Sequence, residues 1–150
     1  MEDVLNNINS TIDKYHDLES LQEYISSNAK TLTEYALQHQ QDDSKFINNY
    51  CRKQIFVNDH FEIILIIWNP DAKTCIHDHS DNGCIMLCLD GSITEDRYST
   101  SLELISTSTL KKNQIKYIHN RQGYHQISSQ EKSYSLHIYS PPNYKCSAKV

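Results

Sequence analysis

His77-Asp78-His79 places two imidazoles two residues apart, a spacing that on an extended segment turns both to one face and Asp78 to the other. Neutral imidazole binds zinc, copper, iron or nickel, so the pair reads as two metal ligands that need a third; two polar residues beside a turn is the plainer alternative. His125 in GYHQI and His137 in SYSLHIYSPP, both on late strand candidates, can supply that third nitrogen. His119, beside Asn120 and Arg121 in a turn-like stretch, fits less well, and His16, His39 and His60 read as surface residues. Ser135, His137 and Tyr139 alternate along one strand and share a face, which gives a hydroxyl, imidazole and phenol chain. A serine nucleophile is disfavoured, because no glycine-flanked elbow presents one. Cys84 follows the Asn82-Gly83 turn and can return toward the histidines as a thiolate ligand, a reactive thiol or a small core residue. Arg52 carries a donor fork suited to a carboxylate, with a surface ion pair as the plainer role.

These side chains need a scaffold, and the hydropathy pattern names its parts. From Val4 to about Gln41 apolar residues recur at steps of three and four, which predicts two or three short amphipathic helices. Asp17, and Thr31 with Glu34, are the candidate amino-terminal caps. Beyond the polar stretch QQDDSK come short runs rich in Ile, Tyr and Leu: 46–50, 61–68, 74–79, 84–89, 92–98, 102–105, 114–118, 124–127 and 134–139. Nine strands without crossover helices argue for a two-layer sandwich or closed barrel rather than a doubly wound α/β fold. Asn82-Gly83 and Asp90-Gly91 are hairpin signals.

A chain of 150 residues is expected to form one domain. Its 14 basic and 19 acidic residues leave a formal charge of −5, which argues against nucleic acid as a partner. No apolar run is long enough for a membrane span and the amino terminus lacks a signal-peptide pattern, so a cytoplasmic protein is expected. Five cysteines without CxxC spacing suggest neither a disulfide framework nor a cysteine-rich zinc site.

Taken together, HDHSDNGC (His77 to Cys84) followed after six residues by Gly91 resembles the first cupin motif in the form found in cysteine dioxygenases. SLHIYSPP (Ser135 to Pro142) is similar to that family's carboxy-terminal segment, GYHQI supplies a third histidine, and NNYCRK sets Tyr50 and Arg52 where the family has a tyrosine and its substrate-binding arginine. The resemblance implies a mainly β fold, a cupin jelly-roll barrel (46–150) preceded by a helical part (1–45). It implies Fe(II) held by His77, His79 and His125, with His137 as the alternative third ligand. The substrates would be L-cysteine and O2, the cysteine bound through thiolate and amine with its carboxylate on Arg52 and Tyr50, and the product cysteine sulfinate. Cys84 and Tyr139 match a pair joined in the family by a thioether, with His137 and Ser135 orienting the phenol. A monomer is expected. Ser129 stands where the family commonly has asparagine, a departure that leaves the ligands intact and bears on pocket shape. The alternatives are a dioxygenase for 3-mercaptopropionate or another small thiol, a non-catalytic metal-binding cupin sensor, and a zinc or nickel cupin isomerase or decarboxylase.

Overall fold

A computed structural model describes residues 1–39 and 45–149. Helices α1 (Glu2–Tyr15), α2 (Gln22–Ser27) and α3 (Ala29–Leu37), with a 3₁₀ turn at Glu19–Leu21, lead into the strands. These are β1 (Tyr50–Val57), β2 (Glu62–Trp68), β3 (Ala72–Lys73), β4 (Cys84–Asp90), β5 (Ser92–Tyr98), β6 (Leu104–Lys111), β7 (Ile115–Ile118), β8 (Tyr124–Ser129) and β9 (Ser133–Tyr139). No helix among the described residues is long and apolar enough to cross a membrane.

The helices form for the reason the spacing gives. Val4, Ile8 and Ile12 fall on one face of α1 and are buried, Glu2 and Asp3 favour its positive end, and His16 in the left-handed region (φ 51°) stops it. Asp17 accepts a hydrogen bond from the Ser20 amide at 3.2 Å, but the cap position of the 3₁₀ turn is Leu18 and not Asp17. Thr31 is not a cap: it lies inside α3, which Asn28 precedes. The expected helical limit near Gln41 and most of QQDDSK lie outside the described residues.

Two sheets face each other, one ordered β1-β2-β9-β4-β7 and the other β3-β8-β5-β6. The first is covered on both sides, which explains why β2 reads EIILIIW with every residue buried rather than alternating. Ile63, Leu65 and Ile67 pack with Ile85, Leu87, Leu136 and Ile138 against Ile8, Ile12, Ile25 and Leu32 of the helices. Ile64, Ile66 and Trp68 point the other way and pack with Met86 and Cys88 against Ile93, Leu110 and Ile127 of the second sheet. The metal-ligand candidates lie at one end of this inter-sheet space.

Four local expectations are corrected. Residues 46–50 form no strand: Asn48 and Asn49 take positive φ (55° and 66°) and leave a single bridge between Ile47 and Tyr50. The strand starts at Tyr50 and runs through the polar-looking CRKQIFV. The run 74–79 is also not a strand, and His77 makes only isolated bridges, to His125 and Ala148. Asn82-Gly83 turns the chain into β4, the Gly83 amide donating to the Ser80 carbonyl at 2.8 Å, without pairing two strands. Asp90-Gly91 is not a hairpin either, because β4 pairs with β7 and β9 while β5 pairs with β6 and β8. Gly91 carries the chain from one sheet to the other at φ 74°, where a Cβ would stand 2.3 Å from Ser133 Oγ.

Candidate metal centre

The structure brings His77, His79 and His125 together, all buried, with ligand atoms within 4.8 Å of one another. Two come from the irregular segment after β3 and one from β8, whose inward face carries His125 and Ile127. The His77 bridge to His125, with amide-to-carbonyl bonds of 3.0 and 3.2 Å, fixes the two backbones side by side. His79 is held by Asn120, whose amide nitrogen donates to the His79 carbonyl at 2.9 Å and whose Oδ1 accepts from the His79 amide at 2.8 Å.

Hydrogen bonding settles which ring nitrogen of each histidine carries its proton. His77 Nδ1 lies 2.9 Å from the Cys75 carbonyl, His79 Nδ1 3.1 Å from Asn120 Oδ1, and His125 Nδ1 2.8 Å from Glu95 Oε2. Each partner is an acceptor, so each Nδ1 donates and each Nε2 keeps a free lone pair. His77 Nε2 and His125 Nε2 then face each other at 3.0 Å, lone pair to lone pair. His79 Nε2 is buried with no hydrogen-bond partner. An arrangement of this kind is unfavourable unless a cation sits among the nitrogens. The 3.0 Å separation also suits two imidazoles at right angles on a metal at about 2.1 Å. Burial holds all three histidines below the usual value, and for His79, with the neighbouring His125 and His77 adding to burial, the pKa falls to about 2. The imidazoles stay neutral and able to ligate.

His137 does not join the cluster. Trp68 Nε1 donates to Ser135 Oγ at 2.8 Å, and Ser135 Oγ lies 2.8 Å from His137 Nε2. Trp68 can only donate, so the serine hydroxyl has its own proton to give to His137 Nε2, which leaves His137 Nδ1 to face the Tyr139 hydroxyl at 3.5 Å. Burial brings His137 down to about 3, and burial followed by the adjacent Cys84 pushes the Tyr139 phenol well up.

A pocket of about 290 Å³ opens beside the cluster and reaches it through His77. Tyr50, Arg52, Trp68, His137 and Tyr139 line it. The Arg52 guanidinium lies 5.8 Å from the centre of the Tyr139 ring, and the Tyr50 and Trp68 rings are 5.1 Å apart. Cys84 is buried, lies opposite Tyr139 in the β4 to β9 register and is no part of the histidine cluster. Burial raises its thiol well above the usual range, which argues against a free thiolate ligand. All five cysteines are free. Ser129 is placed against the Ser92 carbonyl and Ser133 Oγ, at 3.2 and 3.1 Å, away from the imidazoles.

Three residues take parts in this centre that the sequence did not assign to them. Asp78 turns from the histidines to the carboxy-terminal segment and is an anchor: it accepts from the Ser147 amide at 2.6 Å and the Tyr144 hydroxyl at 3.0 Å, with Lys149 Nζ at 3.4 Å. That clamp holds Tyr144 to Cys146 at the pocket wall. Asn120 carried no signal beyond a turn. Glu95 carried one: it alternates with Ile93 on β5, so its carboxylate must point inward with that isoleucine.

A model of the cysteine dioxygenase type I family matches residues 5–149. Cysteine dioxygenase type 1 of Rattus norvegicus is 29% identical over 141 residues, covering 88% of this chain and 69% of the relative. The Homo sapiens protein of the same name is 28% identical over the same length and coverage. Among solved structures, an RmlC-like cupin from Shewanella frigidimarina superposes with a TM-score of 0.59 at 11% identity, covering 70% of this chain and 87% of that one. The coconut allergen cocosin does so with a TM-score of 0.59 at 13% identity, over 72% of this chain and 30% of that one. Such distant structural likeness speaks for the fold alone: a cupin barrel preceded by short helices.

Proposed function

Because the chain belongs to the cysteine dioxygenase type I family, we propose that it is a mononuclear iron thiol dioxygenase that converts L-cysteine and O2 to cysteine sulfinate. In that reaction both oxygen atoms are added to the sulfur. Family membership and the three-histidine site together support an oxidoreductase. The observation that carries the proposal is the convergence of three unprotonated Nε2 atoms beside a pocket that contains an arginine.

Fe(II) fits the donor set of His77, His79 and His125, and when bound there it would supply a redox-active centre with open positions for a thiol and dioxygen. Every other function falls to side chains of the chain itself. Arg52 presents a cation at the pocket, and its fork would grip the substrate carboxylate with Tyr50 alongside. Tyr139 holds its phenolic proton at ordinary pH because burial raises it, so it can donate to a developing negative charge. His137 and Ser135, anchored by Trp68, would fix the direction in which that hydroxyl points. A thioether between Cys84 and Tyr139 would lock the ring in place. The one-domain organisation, a monomeric state and a cytoplasmic setting complete the proposal.

The test is direct. Iron-loaded protein is incubated under oxygen with L-cysteine, 3-mercaptopropionate or cysteamine, and products are identified by mass. A product two oxygen atoms heavier than L-cysteine is expected. Its absence for every thiol would sink the dioxygenase reading, and its presence only with 3-mercaptopropionate would reassign the substrate.

A further inference from the structure

Glu95 is a carboxylate with no exposed surface, on a strand of the sheet opposite the one that carries Cys84 and Tyr139. Its two oxygens are divided. Oε2 accepts from His125 Nδ1 at 2.8 Å, while Oε1 accepts from Arg97 Nε at 2.7 Å, with Lys116 Nζ further out at 3.8 Å. Arg97 is itself anchored, donating through Nη2 to the Tyr117 carbonyl at 2.5 Å. A buried charge held from two sides has few positions open to it. Since His77 and His79 give their Nδ1 protons to a carbonyl and an amide oxygen, His125 is the one histidine of the three whose partner carries a formal charge.

We propose that Glu95 is the positioning residue of the metal centre. It fixes the proton of His125 on Nδ1, aims Nε2 at the point shared with His77 and His79, and gives one of the three imidazoles a carboxylate acceptor where the other two have neutral ones. A carboxylate accepting from a metal-bound imidazole makes that imidazole the better donor. Three neutral ligands leave the metal's charge for anionic substrate, and Glu95 acts without occupying a coordination position, its carboxylate shared between His125 and Arg97. This inference rests on the metal-binding reading above and adds to it the residue that tunes metal affinity.

A purely structural role is the competitor, since Glu95 also completes an ion pair with Arg97. The two roles separate by substitution. Glu95→Gln keeps the volume and an acceptor oxygen but removes the charge; Glu95→Ala removes both; Arg97→Gln breaks the ion pair while leaving His125 its acceptor. Metal-free full-length protein is titrated with Co(II), followed by its visible absorption and by competition with a chelator, and the fold of each variant is checked by near-ultraviolet circular dichroism. Wild type is expected to bind one Co(II), Glu95→Gln to bind it about 10-fold more weakly and Glu95→Ala up to about 100-fold more weakly. Arg97→Gln is expected to bind as tightly as wild type or more so. Glu95→Gln within twofold of wild type overturns the inference, as does Arg97→Gln weakening binding as much as Glu95→Gln. Should Glu95→Ala fail to fold, Glu95→Gln alone decides. Failure of wild type to bind Co(II), or unchanged binding in His79→Ala, would instead strike at the metal reading itself, so the two failures are distinguishable.

Discussion

Cys84 and Tyr139 stand directly opposite each other where β4 and β9 pair. Directly opposed residues of an antiparallel ladder have Cβ atoms about 4.5–5.5 Å apart, close enough for a sulfur to reach a neighbouring ring. If the pair is joined by a thioether, the intact protein after turnover with iron, thiol and oxygen will weigh two hydrogen atoms less than its sequence mass. Cys84→Ser will show no such loss and will keep its metal. A full-mass protein that is nevertheless active would remove the crosslink from the scheme.

The ligand set predicts a contrast between histidines that look alike in sequence. Alanine at His77, His79 or His125 is expected to weaken metal binding by more than about 100-fold, beyond what outer partners contribute. His137→Ala is expected to bind metal within a few-fold of wild type and to lose activity, because its partners are Ser135 and Tyr139. Equilibrium dialysis with metal analysis checks both. A His137→Ala protein that loses its metal would exchange His137 and His125 in the ligand set.

Arg52 predicts a pattern across substrates. A charge-assisted hydrogen bond to a carboxylate contributes about 1.5–3 kcal/mol. Arg52→Ala should therefore lower kcat/KM for L-cysteine by roughly 10- to 100-fold, mainly through KM, and leave cysteamine, which has no carboxylate, nearly unchanged. Equal losses on both thiols would show that Arg52 serves the pocket through Tyr139 and not through the substrate.

Acid should destabilise the metal-free protein. Burial lowers His77, His79, His125 and His137 from 6.5, with His79 reaching about 2 and His137 about 3. Below pH 6.5 the unfolded chain takes up protons that the folded chain refuses, so stability falls as pH falls and recovers as it rises. The slope for each such histidine is up to about 1.4 kcal/mol per pH unit. Denaturant unfolding from pH 7.5 down to pH 5 reads this directly, and a flat profile across that window would contradict it. Bound metal should add stability at pH 7 and lose that contribution as protons compete for Nε2.

What the sequence shows and what it hides follow from the range of the forces involved. The helices were legible because Val4, Ile8 and Ile12 record a local periodicity, and the run 61–68 was legible as a strand, though the covering of both its faces was not. His77 and His79 were legible because two-residue spacing is local too, and resemblance added His125 from a distance. The passage of the chain between sheets at Gly91 was not, since Asp-Gly has the same letters in a hairpin as in a crossing, and only tertiary pairing separates the two. The run 74–79 misled because its partners are single residues of β8 and of the carboxy-terminal segment. Asn120 and Asp78 act through backbone groups far away in sequence, and no spacing rule points at them.

The segment that carries His77 and Asp78 is gripped from both sides, by the backbone bridge to His125 across 48 residues and by the Ser147 amide across 69. Contacts that span so much chain form late, because long loops must close before either is made. The ligand cradle is therefore no early nucleus around which the barrel folds. It is complete only once both of those loops have closed, so the appearance of a metal-competent site in a refolding experiment is expected to report their closure.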